Sequence, residues 1–222
     1  MTYNPLKTTL FRNRVCPFVQ RVSIALEETK MNYDTFDIDP KNKPDWYKTI
    51  NPQLKVPALR LPNGTSLVES ALIVDYISEV HPEAFLYPLN PLDKYKVRLF
   101  GVQVTEKLVP LTYRILTVDD GAPSVEHREK VLDILKLAND KLNENSNEGP
   151  YFLGEQYSVA DLLLSTFAYR TEIFSKLRGD TFENIKGLER YYVWKEAVSN
   201  RPSFIKTIAP FEVFKEAYEG SK

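Results

Sequence analysis

The chain has 222 residues, enough for one or two domains with a substantial core. Its 29 basic and 30 acidic residues nearly balance and are spread evenly along the chain, so no basic face for nucleic acid is predicted. A single cysteine and two histidines exclude an intramolecular disulfide and a Cys/His zinc site.

The sequence has the features of a protein from a reducing compartment. Its first ten residues lack the basic start and the apolar core of a secretory signal. No apolar run approaches the ~18 residues that a membrane-spanning helix needs. We therefore expect a cytoplasmic protein with neither a membrane nor a nucleic-acid partner.

The beginning of the chain alternates strand-like and helix-like segments. Residues 8–12 include β-branched and aromatic residues and predict a strand. Pro17 suits the first turn of a helix, and apolar residues after it repeat with helical spacing. Residues 33–38 alternate apolar and polar and predict a second strand, which completes a βαβ unit.

A short helix, a hairpin and a longer helix complete this first domain. Residues 44–50 predict a short helix that ends at Asn51-Pro52. Asn63-Gly64 lies between two apolar runs, which is a strong hairpin signal. The next helix, 71–80, has a predicted buried face of Leu72, Ile73, Tyr76, Ile77 and Val80. The predicted order over residues 1–81 is β-α-β-α-β-β-α.

Three prolines mark residues 82–91 as a linker, and residues 92–222 predict an all-helical second domain. We expect a long first helix, kinked by Pro110, whose buried stripe is Leu92, Tyr95, Leu99 and Val102. Later helices carry two more apolar stripes: Val131, Ile134, Leu135, Ala138 and Leu142, then Val159, Leu162, Leu163, Thr166, Arg170 and Ile173.

Polar residues at helix ends have structural interpretations. Ser158 and Asp161 are spaced as a capping box at the start of a helix. His81 lies at a predicted helix end, where a capping or surface position is expected. His127 begins a charged run and is interpreted as part of a solvated face.

Cys16 lies between the first predicted strand and the helix that Pro17 opens. The N-terminus of a helix carries unpaired N–H groups and roughly half a positive charge, and both favour thiolate over thiol. Arg14 and Arg21 would strengthen this effect if they faced the sulfur. We therefore interpret Cys16 as a reactive thiol, with a small buried apolar residue as the alternative.

The position at which a C-x-x-C motif would place a second thiol is occupied by Val19. A mixed disulfide formed on Cys16 must therefore be released by an external thiol. Glutathione is the abundant intracellular thiol for this step.

Two further stretches suit a bound peptide. A cis bond at Val56-Pro57 would leave the Val56 backbone free to pair with a peptide, and an ordinary trans turn is the alternative. Glu69-Ser70 begins a helix, where Ser70 and the first N–H groups could hold a carboxylate and Glu69 an amine. An ordinary helix start is the alternative for this second stretch.

Together these motifs resemble the cytosolic glutathione transferases. The spacing is similar to that of the omega class at four places: Cys16-Pro17-Phe18 with Arg21, the Lys-Asn-Lys-Pro-Asp-Trp stretch at 41–46, Val56-Pro57 and Glu69-Ser70. The resemblance covers nearly the whole chain. It implies a thioredoxin-like α/β N-terminal domain followed by an all-α C-terminal domain.

The resemblance implies a role for each matching residue. Cys16 would form a mixed disulfide with glutathione. Glu69 would bind the amine of the γ-glutamyl end, and Ser70 would bind its carboxylate. No metal is implied.

The remaining contacts concern the other parts of glutathione. Val56, before a cis Pro57, would pair its backbone with the cysteinyl part. Lys43 would neutralise the glycyl carboxylate, and the Phe18 backbone would border the sulfur. The capping box would have a structural role in the second domain.

The resemblance implies glutathione-dependent thiol transfer and reduction. The acceptor would be a disulfide, a glutathionylated molecule or a small electrophile such as dehydroascorbate or a glutathionyl ketone. A cysteine nucleophile favours such exchange over conjugation. The family also implies a homodimer, and an acceptor pocket in the second domain whose candidates, with the core as the alternative, are Tyr113, Tyr169, Arg170 and Phe214.

Two other functions use the same fold. A chloride-channel-like redox protein would need an apolar first helix, which Arg21, Glu27 and Glu28 interrupt here. A non-enzymatic binding module would not need the glutathione contacts, yet their residue types are all present in this chain.

Overall fold

The computed structural model describes residues 3–117, 123–146 and 148–219. The chain divides into two compact units, residues 1–84 with 206–209 and residues 85–205 with 210–222. The division after Ala84 falls within the stretch interpreted as a linker. The return of residues 206–209 to the first unit has no signal in the sequence.

The first unit contains a four-stranded sheet and helices. Its elements are β1 (Thr9–Arg12), α1 (Pro17–Glu28), β2 (Asp34–Asp37), a 3₁₀ helix (Asp45–Thr49), β3 (Ala58–Arg60), β4 (Ser66–Val68), α2 (Ser70–Val80) and a second 3₁₀ helix (Pro82–Ala84). The strands are ordered β2-β1-β3-β4; β1 pairs parallel with β2, and β3 is antiparallel to both of its neighbours. The predicted β-α-β-α-β-β-α order is confirmed, with a 3₁₀ helix as the second helical element.

Residues of the sheet and of two helices are buried in this unit. Leu10 of β1 is fully buried, and α1 packs against α2. The buried apolar residues of α2 are Ile73, Val74 and Ile77. Leu72 and Val80, predicted for that face, are 63% and 45% exposed, so this part of the prediction is wrong. The apolar arc of α2 is wider than the face that its neighbours cover.

The remaining described elements are helical. They are α3 (Pro91–Phe100), a π-helix (Gly101–Thr105), α4 (Glu106–Leu116), α5 (Val125–Asn145), α6 (Val159–Leu177), α7 (Glu189–Ser199), α8 (Pro202–Thr207) and α9 (Phe211–Glu219). In the second unit α6 is central, because it packs against α3, α4 and α7 and is buried around most of its circumference. Within the described ranges, no helix is both long and apolar enough to span a bilayer.

The buried face of α3 differs from the predicted one. Three residues of the predicted stripe are strongly exposed, namely Leu92, Tyr95 and Val102. The buried face consists instead of Val97, Phe100 and, in the π-helix, Val104. This segment carries two apolar faces, and periodicity alone does not tell which one meets the core. The π-helix interrupts the long helix before Pro110, which lies inside α4.

The predicted capping box at the start of α6 is present. Asp161 Oδ2 accepts hydrogen bonds from the backbone N–H and the hydroxyl of Ser158, at 2.8 and 2.9 Å. Its Oδ1 accepts from the Phe152 N–H at 2.8 Å and from the Trp194 indole N–H at 2.9 Å. One fully buried carboxylate therefore joins α6 to α7 and to the segment before α6.

His127 is 6% exposed, so its interpretation as part of a solvated face is wrong. Its Nε2 lies 3.1 Å from the carbonyl oxygen of Leu111 on α4, to which the ring donates an N–H. Successive residues on a helix point about 100° apart, so one member of a charged run can face inward. The neighbouring residues Glu126 and Glu129 remain exposed.

We expect His127 to make stability depend on pH. Burial lowers the pKa of His127 below its ordinary value of 6.5, and the charges of Arg114 and Lys130 act in the same direction. As pH falls through about 6.5, the unfolded chain takes up this proton before the folded chain does, so stability falls. Urea unfolding at about pH 8 and about pH 5.5 measures the change. The pH dependence should be weaker in His127→Gln, and an unchanged dependence would contradict the assignment.

Candidate active site

Backbone pairing brings three of the predicted motifs to one edge of the sheet. Ala58, the first residue of β3, pairs with Phe11 near the end of β1 and with Val68 at the end of β4. The segments that leave the strands here therefore begin next to one another. They carry Cys16 after β1, Val56-Pro57 before β3 and Glu69-Ser70 after β4.

Cys16 is the N-cap residue of α1. Its N–H donates to the Asn13 carbonyl at 3.1 Å, and Asn13 Oδ1 accepts from the Val15 N–H at 3.1 Å. This side-chain turn presents the cysteine at the positive end of the helix. The side chain of Cys16 is partly exposed, and its Sγ lies 3.9 Å from the carbonyl oxygen of Val56.

The Val56–Pro57 peptide bond is cis, as the resemblance implied. Val56 is half-buried and Pro57 is buried. The carbonyl of the preceding residue, Lys55, accepts hydrogen bonds from the Tyr47 hydroxyl at 2.8 Å and from the Asn51 side-chain amide at 2.7 Å. Sequence reasoning missed both donors, because nothing in the spacing links them to Lys55.

Glu69 is the N-cap residue of α2 and has a φ of +67°. A positive φ costs a non-glycine residue on the order of 1–3 kcal/mol and often marks a binding or catalytic site. Its side chain is exposed, and its carbonyl accepts from the Ile73 N–H at 2.9 Å. Ser70, the first residue of α2, is 7% exposed. An exposed carboxylate and a hydroxyl thus stand together at a second helix N-terminus.

Lys43 is exposed in the segment between β2 and the first 3₁₀ helix. This segment leaves the sheet at the same edge as Cys16, because the Ile38 N–H donates to the Arg12 carbonyl at 2.7 Å. Lys43 is therefore a cation in a segment that leaves the sheet at the edge where the other motifs meet.

The charged residues near Cys16 already have partners within the protein. Phe18 is half-buried, and the Arg21 guanidinium lies 5.1 Å from the centre of its ring. Arg14 pairs with Asp37 at 3.2 Å, so its charge is shared with a carboxylate. The partial positive charge of the α1 N-terminus therefore acts on the Cys16 sulfur more directly than the charge of Arg14 does.

The acceptor-pocket candidates in the helical unit differ in exposure. Arg170 and Phe214 are fully buried, and the guanidinium lies 5.1 Å from the ring centre. The core alternative therefore holds for these two residues. Tyr113 and Tyr169 are half-buried and make edge contacts with other rings.

Known proteins resemble this chain over most of its length. A family model described as glutathione S-transferase, N-terminal domain, matches residues 10–85. Probable glutathione S-transferase DHAR1, cytosolic, from Oryza sativa subsp. japonica is 30% identical over 203 residues, which are 89% of this chain and 85% of that protein. Pyrimidodiazepine synthase of Drosophila melanogaster is 29% identical over 208 residues, 92% of this chain and 82% of that protein.

A solved structure has the same fold throughout. Glutathione transferase Omega 3C from Trametes versicolor superposes with a TM-score of 0.81 at 28% sequence identity. The superposition covers 93% of this chain and 91% of the Trametes chain. The similarity thus extends through both the sheet-containing and the helical parts.

Proposed function

Because this chain belongs to the glutathione transferase family, as an omega-like member, we propose that Cys16 is its catalytic nucleophile. The protein is a glutathione-dependent thiol transferase and reductase, and glutathione is its co-substrate. The observation that supports the role of Cys16 is its position. A partly exposed thiol caps α1, 3.9 Å from the Val56 carbonyl, at the edge where Glu69 and Ser70 begin α2.

The proposed reaction has two exchange steps. The Cys16 thiolate attacks the glutathionyl sulfur of a mixed disulfide, forms a Cys16–glutathione disulfide and releases the other thiol as thiolate. The thiolate of a second glutathione attacks the glutathionyl sulfur of that disulfide, which releases Cys16 and forms glutathione disulfide. Each step breaks one S–S bond and forms another, so no metal takes part.

The γ-glutamyl end of glutathione would occupy the start of α2. The exposed Glu69 carboxylate would accept from the amine, and the Ser70 hydroxyl and adjacent N–H groups would donate to the carboxylate. A helix N-terminus favours an anion through its unpaired N–H groups and its dipole. Glu69 itself is the N-cap residue, with a φ of +67°, so it lies outside the helical turn that it precedes.

The rest of the tripeptide would follow the edge of the sheet. The backbone of Val56 would pair with the cysteinyl part, which would lie close to Cys16. Lys43 would neutralise the glycyl carboxylate, and the backbone of Phe18 would border the sulfur. In this arrangement all the motifs at this edge of the sheet contact a single glutathione molecule.

The acceptor substrate would be a small disulfide, a glutathionylated molecule or a small electrophile. Dehydroascorbate is an electrophile that a thiol reductase can reduce. The protein would act in the cytoplasm, where glutathione is abundant. The acceptor itself would be selected in the helical domain, where the half-buried Tyr113 and Tyr169 remain candidates.

We further propose that the protein is a homodimer. The exposed stripe along α3 and the π-helix that follows it supports this, because Leu92, Tyr95 and Val102 are each more than half exposed. Apolar residues that recur along one exposed helix face favour burial against another surface. Light scattering measures the molar mass in solution, and a monomer at micromolar concentration would contradict this part of the proposal.

The glutathione site is tested by paired serine variants of α2. We expect Ser70→Ala to raise the KM for glutathione at least about tenfold, because a hydrogen bond to a charged group contributes about 1.5–3 kcal/mol. Ser78→Ala is the matched control, since its hydroxyl donates at 2.7 Å to the Val74 carbonyl within the helix. Reduction of a small mixed disulfide supplies the rates. An equal KM in the two variants would contradict the assignment of Ser70.

A further inference from the structure

Two buried side chains hold one carbonyl oxygen next to the thiol site. The Tyr47 hydroxyl and the Asn51 amide both donate to the Lys55 carbonyl, at 2.8 and 2.7 Å. Tyr47 is 0% exposed and Asn51 is 3% exposed, whereas the Lys55 side chain itself is exposed. Lys55 is joined directly to Val56, whose own carbonyl oxygen lies 3.9 Å from Cys16 Sγ.

The first of these donors is anchored on the sheet. The Tyr47 ring lies 5.5 Å from that of Phe11 on β1 and 6.2 Å from that of Trp46, and Trp46 also contacts Phe11 and Phe36. Burial raises the pKa of Tyr47, so its hydroxyl keeps its proton and remains a donor. The strand that leads to Cys16 and the loop that carries Val56 are therefore tied to the same aromatic cluster.

The second donor is oriented by its neighbours. Asn51 Oδ1 accepts from the Gln53 N–H at 3.0 Å, and the Asn51 backbone N–H donates to the Tyr47 carbonyl at 2.9 Å. With its oxygen engaged as an acceptor, the amide must direct its NH₂ group towards Lys55. The two donors thus approach one oxygen from two fixed positions.

We propose that Tyr47 and Asn51 are positioning residues of the glutathione site, which hold the Lys55 carbonyl and thereby fix the Val56 backbone relative to Cys16. The inference rests on the proposed function, in which Val56 pairs with the cysteinyl part of glutathione. A loose backbone at Val56 would have to be ordered when glutathione binds, which would weaken binding of the cysteinyl part. Neither side chain is assigned a contact with glutathione.

The test removes each donor while preserving shape. Tyr47→Phe deletes one hydroxyl. Asn51→Asp, assayed at about pH 8 to favour the ionised carboxylate, keeps the acceptor for Gln53 but loses the donor. We expect each to raise the KM for glutathione about threefold to tenfold. The kcat should change by less than about twofold, because the thiol is held by α1 rather than by this loop. The rate of Cys16 alkylation by iodoacetamide should stay unchanged for the same reason.

The double variant and a matched control complete the test. Tyr47→Phe/Asn51→Asp removes both donors, so its KM should rise by more than the product of the single effects. Tyr33→Phe is the control, because it also removes a partly buried hydroxyl, which donates to the Glu27 carboxylate at 3.0 Å. Tyr33 precedes β2 and therefore lies at the opposite edge of the sheet from Cys16. The kinetics of Tyr33→Phe should match those of the wild type.

Two results would overturn the inference. One is a wild-type KM in a folded double variant. The other is a loss of alkylation rate and kcat as large as the rise in KM, which would indicate a general distortion. Failure of the proposed function is distinguishable, because then the wild-type protein itself would show no glutathione-dependent reduction.

Discussion

Cys16→Ser is expected to abolish glutathione-dependent reduction of a small mixed disulfide, with kcat/KM falling at least about a thousandfold. A serine hydroxyl is not ionised near neutral pH and cannot form the mixed disulfide that links the two exchange steps. Because Cys16 is the only cysteine in the chain, no second thiol can substitute for it. Initial rates with the two proteins at equal concentration measure the effect.

Two controls accompany this variant. Glutathione binding, measured by calorimetry, should persist in Cys16→Ser, since the proposed binding groups are on other residues. Conjugation of a chlorinated nitrobenzene should be low in the wild type and should persist or rise in the variant, where the hydroxyl can only activate bound glutathione. Reduction at the wild-type rate by Cys16→Ser would refute the assignment of the nucleophile.

Asp161→Ala is expected to cost at least about 3 kcal/mol of unfolding free energy. The change removes the buried acceptor of four hydrogen-bond donors. These are the N–H and the hydroxyl of Ser158, the N–H of Phe152 and the indole N–H of Trp194. Ser158→Ala removes only a hydroxyl and should cost about 1 kcal/mol. Urea unfolding monitored by circular dichroism gives both values.

The matched control for Asp161→Ala is Asp133→Ala on α5. Asp133 is 72% exposed, and its carboxylate lies 3.8 Å from Lys136. A surface pair of this kind contributes little, so the control should stay within about 0.5 kcal/mol of the wild type. If the two aspartate variants were equally stable, the proposed role of the capping box in joining α6 to α7 would be wrong.

Motifs set by neighbouring residues could be predicted from the sequence. Pro17 does begin α1, Asn63-Gly64 lies between β3 and β4, and Ser158 and Asp161 do form the capping box of α6. In each case the physical cause lies within a few residues: a fixed φ, a tight turn or a side chain that reaches its own helix end. Such causes act wherever the segment is placed in the fold.

Features that depend on distant partners could not be predicted. His127 faces inward because the Leu111 carbonyl on another helix accepts its N–H, and spacing contains no sign of that partner. The exposed Tyr95 lies on a second apolar face of α3, which periodicity does not distinguish from the buried one.

The same limit applies to the candidate site. Cys16 and Glu69-Ser70 could be selected because each lies at the start of a predicted helix. Their common location follows from the pairing of Ala58 with two other strands, which only the register of the sheet reveals. The hydrogen bond from Tyr47 to Lys55 likewise joins residues whose types suggest no partnership. One signal was available, because an Asn in the loop before Cys16 is typical of a side-chain turn, as at Asn13.

Intact-mass spectrometry shows whether Cys16 carries glutathione covalently between the two exchange steps. The protein is incubated with glutathione disulfide, quenched with acid and analysed without reductant. We expect one added glutathionyl group, which peptide mapping locates at Cys16. The group should be absent in Cys16→Ser and should be removed when reduced glutathione is added. If the wild-type protein reduced mixed disulfides at full rate without ever forming this adduct, Cys16 would not be the covalent carrier of glutathione.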